Sequence, residues 1–146
     1  MKDLCWIGVA IAALAMGCAS APQAPATSEK TVPGPQYLVG SEWELRDLGG
    51  TPVLDDRRPT LSFVDPGRIS GNASCNRYGG GADLGDGTIK VSPLAVTKMA
   101  CTPEIDSQEH AYLAALQNAS RLELVGGELV VHTDSLEKPL RFRRTR

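Results

Sequence analysis

The residues with the sharpest chemistry are Cys75, followed directly by Asn76, together with Cys101, His110 and His132. A thiol such as Cys75 could act as a redox nucleophile, but no Cys-x-x-Cys pair accompanies it. Zinc takes cysteine and histidine ligands, but the two cysteines and two histidines do not stand at the close spacing of a zinc site. The residues therefore favour a structural role, in which Cys75 and Cys101 form a disulfide and Asn76 makes a side-chain turn bond. Two buried free thiols are the alternative.

An apolar run over residues 4–16 decides the expected compartment. As a helix this run would span about 20 Å, which is short of the ~30 Å hydrocarbon core of a membrane. A signal peptide over residues 1–17 is therefore predicted rather than a transmembrane helix. Its end, Leu-Ala-Met-Gly-Cys at 14–18, resembles the lipobox of bacterial lipoproteins, which implies acyl chains, palmitate among them, on Cys18. An ordinary secretory signal, cut shortly after Cys18, is the alternative.

The cysteine count agrees with export. Cys5 leaves with the signal peptide and Cys18 is acylated, so Cys75 and Cys101 remain as an even pair in an oxidising compartment. The residue after Cys18 is Ala19 rather than Asp. By resemblance to enterobacterial sorting rules, this predicts a lipid-anchored protein of the outer membrane that faces the periplasm.

Residues 18–39 are predicted to be the lipidated cysteine and a flexible linker. Alanine, serine, threonine and glutamine alternate there with prolines at 22, 25, 33 and 35, without an apolar period. Such a segment cannot bury enough surface to offset its ordering entropy. The linker would hold a folded domain off a membrane.

The domain itself is predicted over residues 40–146, which is enough chain for one modest core. Short runs of strand-forming residues are separated by turn signals such as Asp-Pro-Gly and Gly-Gly. With a net charge of -2, the composition is not that of a nucleic-acid-binding protein. The strands are predicted at 43–48, 60–64, 68–72, 88–91, 94–99, 121–125, 128–133 and 139–143.

One segment has a helical pattern instead. Thr102 and Pro103 are a helix start, with Glu104 near the positive end of the helix dipole. Apolar side chains then recur on one face of a helix predicted at 103–118. The fold class is therefore α+β and mainly β. We expect an antiparallel sheet or partly open barrel of about seven or eight short strands with one packed helix.

Three other features have both a functional and a structural interpretation. The glycines at 79–81 could cradle a phosphate, but no Lys-Ser or Lys-Thr follows them, so a flexible turn is predicted. The acidic segment 83–87 lacks the full ligand series of a calcium loop, which favours a solvated turn. The basic end, with arginines at 141, 143, 144 and 146, is predicted to be a solvated strand edge and tail, or a contact for anionic lipid.

Three segments together resemble the META domain family of HslJ-like bacterial lipoproteins. They are the opening Trp-x-Leu strand at 43–45, the Gly-x-x-x-Cys-Asn segment with its later glycine at 71–80, and Thr-x-Met-Ala-Cys at 97–101. Gly81-Ala82 departs from the pattern, because an aromatic residue often follows the glycine in the family. The matching motif positions are Trp43, Gly71, Cys75, Asn76, Gly79, Thr97, Met99 and Cys101.

The resemblance implies an antiparallel β domain with one helix, and it brings no enzyme activity, cofactor or metal. It implies an association with stress and with novobiocin resistance. We therefore expect a monomeric, non-enzymatic envelope module that binds a protein partner or an apolar ligand. The alternatives are a structural or assembly factor of the outer membrane, and a periplasmic thiol redox protein or hydrolase.

Overall fold

The computed structural model describes residues 29–146. The predicted signal peptide, Cys18 and the first part of the linker lie outside the described residues. None of the helices in the described part of the chain is both long and apolar enough to span a membrane.

Within residues 29–146 the fold has eleven strands and two helices. The helices are α1 (Pro35–Leu38) and α2 (Pro103–Gln117). The strands are β1 (Lys30–Thr31), β2 (Glu42–Leu48), β3 (Thr51–Pro52), β4 (Thr60–Asp65), β5 (Arg68–Asn72), β6 (Arg77–Leu84), β7 (Ile89–Val91), β8 (Ala95–Val96), β9 (Ala119–Val125), β10 (Glu128–Thr133) and β11 (Leu140–Arg144).

All strand pairs are antiparallel, in the order β1-β9-β10-β11-β2-β4-β5-β6-β7, with β3 paired to β2 and β8 paired to β6. The sheet curls until its two ends meet at a seam. There Thr88 forms a single bridge with Arg121, and the Leu122 amide donates to the Gly87 carbonyl at 2.8 Å. Among the described residues no continuous ladder joins the two ends of the sheet, so the predicted partly open antiparallel architecture is confirmed.

The core lies between the concave face of the sheet and α2. Trp43 and Leu45 alternate with outward polar residues along β2, as a half-buried strand requires. From α2, Tyr112 and Leu116 are fully buried against this face. Each such side chain contributes roughly 1.5–3 kcal/mol by leaving water. The helix matches the prediction at 103–118 to one residue.

The helix begins with Thr102 as its N-cap and Pro103 in the first turn, as predicted, although the Thr102 side chain makes no capping hydrogen bond to the backbone. Instead, hydrogen bonds from the backbone amide of Glu104 and then from the Thr102 hydroxyl lower the pKa of the Glu104 carboxyl. The acid therefore stays charged at the positive end of the helix dipole.

The predicted strands omit β1 and β3, which have only two residues each, and also β6, while the strand predicted at 94–99 is reduced to the two residues of β8. The prediction of a flexible turn at 79–81 is wrong, because these glycines lie inside β6 and pair with β5. A Cβ atom on Gly80 would stand 2.9 Å from the Leu94 side chain. Because glycine has no side chain, its strand propensity is low, but the β7–β8 connection can pack closely against the strand here.

The predicted linker boundary at residue 39 is also corrected. Lys30 and Thr31 pair with Val125 and Leu124 of β9, and Leu38 is fully buried in the core. Residues 29–39 are therefore part of the folded domain. Two-residue pairing and a single buried side chain leave too little pattern for a sequence-based prediction.

Candidate functional site

Asn76 stands at the centre of the most connected polar cluster. It lies at the end of the connection between β5 and β6, where the Ala73 amide donates to the Asn76 carbonyl at 2.7 Å. The Asn72 side chain accepts the Ser74 amide at 2.8 Å, and Ser74 adopts a φ of 117°. This positive φ is unusual for a residue other than glycine, so the tight connection is held by its hydrogen bonds.

Glu109 reaches this connection from α2. Its Oε2 accepts the backbone amides of Cys75 at 3.2 Å and Asn76 at 2.7 Å, and its Oε1 accepts the Asn76 side-chain amide at 2.8 Å. Glu109 is only 6% exposed. A buried carboxylate is costly unless it is fully hydrogen-bonded, and three N–H donors meet that requirement here.

Asn76 also holds the segment that precedes α2. Its Oδ1 accepts the Thr97 hydroxyl at 3.0 Å and the Met99 amide at 2.6 Å, while its Nδ2 donates to the Met99 carbonyl at 3.3 Å. One asparagine therefore ties the β5–β6 connection, the helix and the 97–99 segment together. The predicted side-chain turn bond of Asn76 is replaced by these longer-range bonds.

A disulfide joins Cys75 to Cys101, with the two Cα atoms 6.3 Å apart. This confirms the predicted pairing and leaves neither sulfur as a free thiol or a zinc ligand. In the described part of the chain, the one group with metal-ligand types in reach of each other is these two sulfurs and Asp106. His110 is exposed on α2, and the His132 ring lies 3.0 Å from the Glu123 carboxylate. The four side chains considered for zinc are thus not brought together.

Gln108, the neighbour of Glu109, anchors the helix to a second loop. Its Oε1 accepts the Leu54 amide at 2.8 Å, and its Nε2 donates to the Arg57 carbonyl and the Ser74 hydroxyl, each at 2.8 Å. Sequence reasoning missed both Gln108 and Glu109. The signal was available, because residues 108, 109, 112 and 116 share one face at helical spacing.

Two buried tyrosines continue the polar layer into the core. The Tyr78 and Tyr112 hydroxyls lie 2.8 Å apart, and the Tyr78 hydroxyl donates to the Thr60 carbonyl at 2.7 Å. Burial raises the pKa of both phenols well above the ordinary value. Both side chains therefore stay neutral and act as hydrogen-bonding core residues.

The sequence was compared with family models and with known proteins. A family model described as the META domain matches residues 36–146. The chain belongs to the META domain family. The "Heat shock protein HslJ" of Escherichia coli K12 is 28% identical over 127 residues, which cover 86% of this chain and 85% of that protein.

Two solved structures share the META domain architecture. An NMR structure of a protein from Burkholderia xenovorans has a TM-score of 0.64 and 26% identity, and covers 88% of this chain and 99% of that one. A second NMR structure has a TM-score of 0.61 and 28% identity, and covers 75% of this chain and 92% of that one.

The motif residues of this META domain have distinct structural roles. Trp43 is 2% exposed and donates its indole N–H to the Ser41 hydroxyl at 2.7 Å. A Cβ atom on Gly71 would lie 2.0 Å from the Thr60 carbonyl oxygen, whereas one on Gly79 would meet nothing closer than 3.7 Å. Met99 contributes its backbone to Asn76, but its side chain is 59% exposed.

The basic end of the META domain is largely paired with acids. Arg143 lies 2.9 Å from Glu44, Arg141 lies 3.6 Å from Glu128, and Arg146 lies 3.5 Å from Glu42. The fourth arginine of this end, at position 144, stacks 5.8 Å from the Trp43 ring centroid. This pairing favours the predicted strand edge and tail over a basic lipid-binding surface.

A groove of about 280 Å³ runs beside the first half of α2. Its apolar wall consists of Leu48, Pro52, Leu54, Ala111 and Leu136. Leu54 and Leu136 are 37% and 38% exposed, so part of this wall faces solvent. The volume lies near the lower limit of the ~300–1,000 Å³ range of small-molecule pockets. The Gln108 anchor shapes the groove by fixing the loop that carries Leu54.

Proposed function

We propose that this chain is a lipid-anchored protein of the cell envelope whose META domain is a non-enzymatic binding module. The observation that carries the proposal is the use made of the motif residues. Cys75 and Cys101 form a disulfide. The polar side-chain atoms of Asn76 and Glu109 make hydrogen bonds within the domain. These groups form a scaffold rather than a reactive centre.

The disulfide also supports export. Disulfides persist in oxidising compartments such as the periplasm and are rare in the cytosol. The lipobox-like segment before Cys18 supplies the anchor in this proposal, and outer-membrane placement follows from Ala19. A role in stress is proposed from the likeness to the heat shock protein, and a role in tolerance of novobiocin from the resemblance of the motifs to the META domain family.

The binding surface in this proposal is the groove beside α2. Its walls of Leu48, Leu54 and Leu136 offer an apolar group a partly enclosed site, with Ser107 and Glu104 at the rim. The occupant is an apolar group, supplied either by a side chain of an envelope protein or by part of an acyl chain. Burying such a group contributes about 25 cal/mol per Å² of apolar surface.

Photo-crosslinking in intact cells tests the groove. A crosslinking amino acid replaces Ala111, which is exposed and lines the groove, and a matched control replaces Gln117, which is exposed on the same helix. A discrete adduct from position 111 and none from position 117 supports the proposal. Its mass distinguishes a protein partner from a lipid. Equal, diffuse labelling from both positions, with no saturable binding of acyl chains or novobiocin to the purified protein, contradicts it.

The anchor has its own test. Cells grown with a clickable palmitate analogue should label the wild-type chain and not a Cys18→Ser variant. In membrane fractionation, the wild-type protein should be recovered with the membranes. A wild-type protein that is soluble and carries no acyl mass overturns the lipoprotein proposal and leaves the groove proposal standing.

A further inference from the structure

We infer that one face of the domain, here called the tether patch, is the surface that rests on the lipid bilayer. The tether patch consists of Val32, Tyr37 and Leu124, which line a depression of about 610 Å³ together with Gly126 and Gly127 at the tip of the β9–β10 hairpin. The inference deepens the proposed function and rests on its lipid anchor at Cys18.

The first observation is exposed apolar surface. Val32 is 58% exposed and Tyr37 is 67% exposed, and both line this single depression. Solvent-facing apolar side chains that cluster in this way mark an interaction surface. A tyrosine, with an apolar ring and a polar hydroxyl, suits the boundary between headgroups and acyl chains.

The second observation is that the tether leaves the domain at this patch, in a fixed position. Glu29 lines the same depression, and its carbonyl accepts the Gly126 amide at 3.5 Å. Lys30 pairs with β9, and its ammonium lies 2.9 Å from the Glu123 carboxylate. The Gly87 amide donates to the Pro33 carbonyl at 3.2 Å, so this segment also spans the seam between the ends of the sheet. The exit point is thus pinned to the domain on both sides.

The chain between the anchor and this exit point is short. Residues 19–28 separate Cys18 from Glu29, and even a fully extended chain of this length spans at most about 40 Å. A domain of this size has a radius of about 17 Å, so a path around half its circumference is roughly 55 Å. The tether is therefore too short to turn the far side of the domain toward the membrane. A flexible coil of this length has an r.m.s. end-to-end distance of only about 18 Å, so orientations that bring the exit point close to the lipid are favoured.

The occupant of the tether patch is consequently the bilayer surface rather than a protein partner. Insertion of the Val32 and Tyr37 side chains would remove exposed apolar surface from water. The acyl anchor already keeps the patch close to the membrane, so its effective concentration at the lipid surface is high. The domain would then sit with the seam and the β9–β10 hairpin tip toward the lipid.

Fluorescence quenching in vesicles tests this orientation. Acylated full-length mature protein is reconstituted into phosphatidylethanolamine and phosphatidylglycerol vesicles that contain a headgroup-labelled quenching lipid. The reporters are Tyr37→Trp and, as a matched control, Val64→Trp, which is 45% exposed on β4, four strands away from β9. Trp43 is 2% exposed and gives the same background in both variants.

The expected result is quenching of the Tyr37→Trp signal at least severalfold stronger than that of the Val64→Trp signal. Equal quenching of the two reporters in protein whose mass shows acyl chains on Cys18 overturns the tether patch while the anchor stands. A mass that shows an unmodified Cys18 overturns the anchor, and the tether patch with it. Both substitutions fall at exposed positions, and thermal unfolding of each variant verifies that the domain is folded.

Discussion

Glu109 of α2 accepts both the backbone amide and the side-chain amide of Asn76, at 2.7 and 2.8 Å. This pair couples the helix to the β5–β6 connection, and through Asn76 the coupling extends to Met99 just before the disulfide. A buried charged group that bonds several elements favours one arrangement of those elements over others. The pair therefore ties α2 to the β5–β6 connection in the register seen in the structure.

Replacing Glu109 with Gln should destabilise the domain by about 2–3 kcal/mol. The amide nitrogen of the new side chain would face N–H donors, so at least one buried donor loses its acceptor. Denaturant unfolding of the purified domain measures the change. Glu137→Gln is the control, since Glu137 is exposed and has no ion pair within residues 29–146, and it should change stability by less than about 0.5 kcal/mol. Equal stability of both variants would show that the Glu109 bonds contribute nothing net.

The disulfide should act as a staple rather than as a redox centre. The sequence separation of 26 between Cys75 and Cys101 corresponds to about 3.5 kcal/mol in the chain-entropy treatment. The double variant Cys75→Ser, Cys101→Ser should therefore melt at a lower temperature. At temperatures where it remains folded, it should complement a deletion strain as well as wild type does. A folded variant that fails to complement would instead favour the thiol redox function.

The main features of this fold were predictable because they depend on repeated patterns. The helix at 103–117 and the β9–β10 hairpin both have a clear period or turn signal, and both were placed within two residues. Residues 30–31 were misplaced because their strand partners, residues 124–125, are distant in sequence, and residues 79–81 because glycine has a low strand propensity. Tertiary packing overrides local propensity at such positions.

The candidate site was predictable only in part. Cys75, Cys101 and Asn76 could be singled out by residue type, and the pairing of the cysteines is confirmed. Glu109 and Gln108 were missed, although they share a helical face with buried residues, because a charged or polar residue on a helix is normally assigned to the solvent side. Their burial is explained only by the backbone amides that the β5–β6 and Leu54 loops present to them.

Acid should loosen the segment that crosses the seam. The hydrogen bond from the Lys30 ammonium, and then that from His132, hold the pKa of the Glu123 carboxyl below its ordinary value of 4.5. A lowered pKa means that the stabilisation is present above the unfolded-state pKa and is lost as the pH falls through the lower folded-state value. As the pH falls below about 4.5, the unfolding midpoint of wild type should therefore fall more steeply than that of Glu123→Gln. Parallel curves for the two proteins would contradict this linkage.

Alkaline titration should report on the buried tyrosine pair. Burial raises the pKa of Tyr78 and Tyr112, so the stabilisation is present below the unfolded-state value of about 10 and is lost as the pH rises above it. In a Tyr37→Phe variant, all phenolate absorbance comes from this pair, since the chain has three tyrosines. The phenolate signal should rise together with the loss of the circular dichroism of the folded domain. A phenolate signal that precedes unfolding would show that the pair is open to solvent.

The two motif glycines, Gly71 and Gly79, should respond oppositely to alanine. At Gly71 the new Cβ would stand 2.0 Å from the Thr60 carbonyl oxygen and 2.8 Å from the Tyr78 hydroxyl, which forces the backbone of β4 or β5 to move. Gly71→Ala should therefore cost about 3 kcal/mol or more, or prevent folding. At Gly79 the nearest atom is 3.7 Å away, an ordinary contact, and the strand gains from the lower backbone entropy of alanine in the unfolded chain. Gly79→Ala should therefore be neutral or stabilise by up to about 1 kcal/mol. Denaturant midpoints of the two variants check the contrast, and a Gly79→Ala variant as unstable as Gly71→Ala would contradict it.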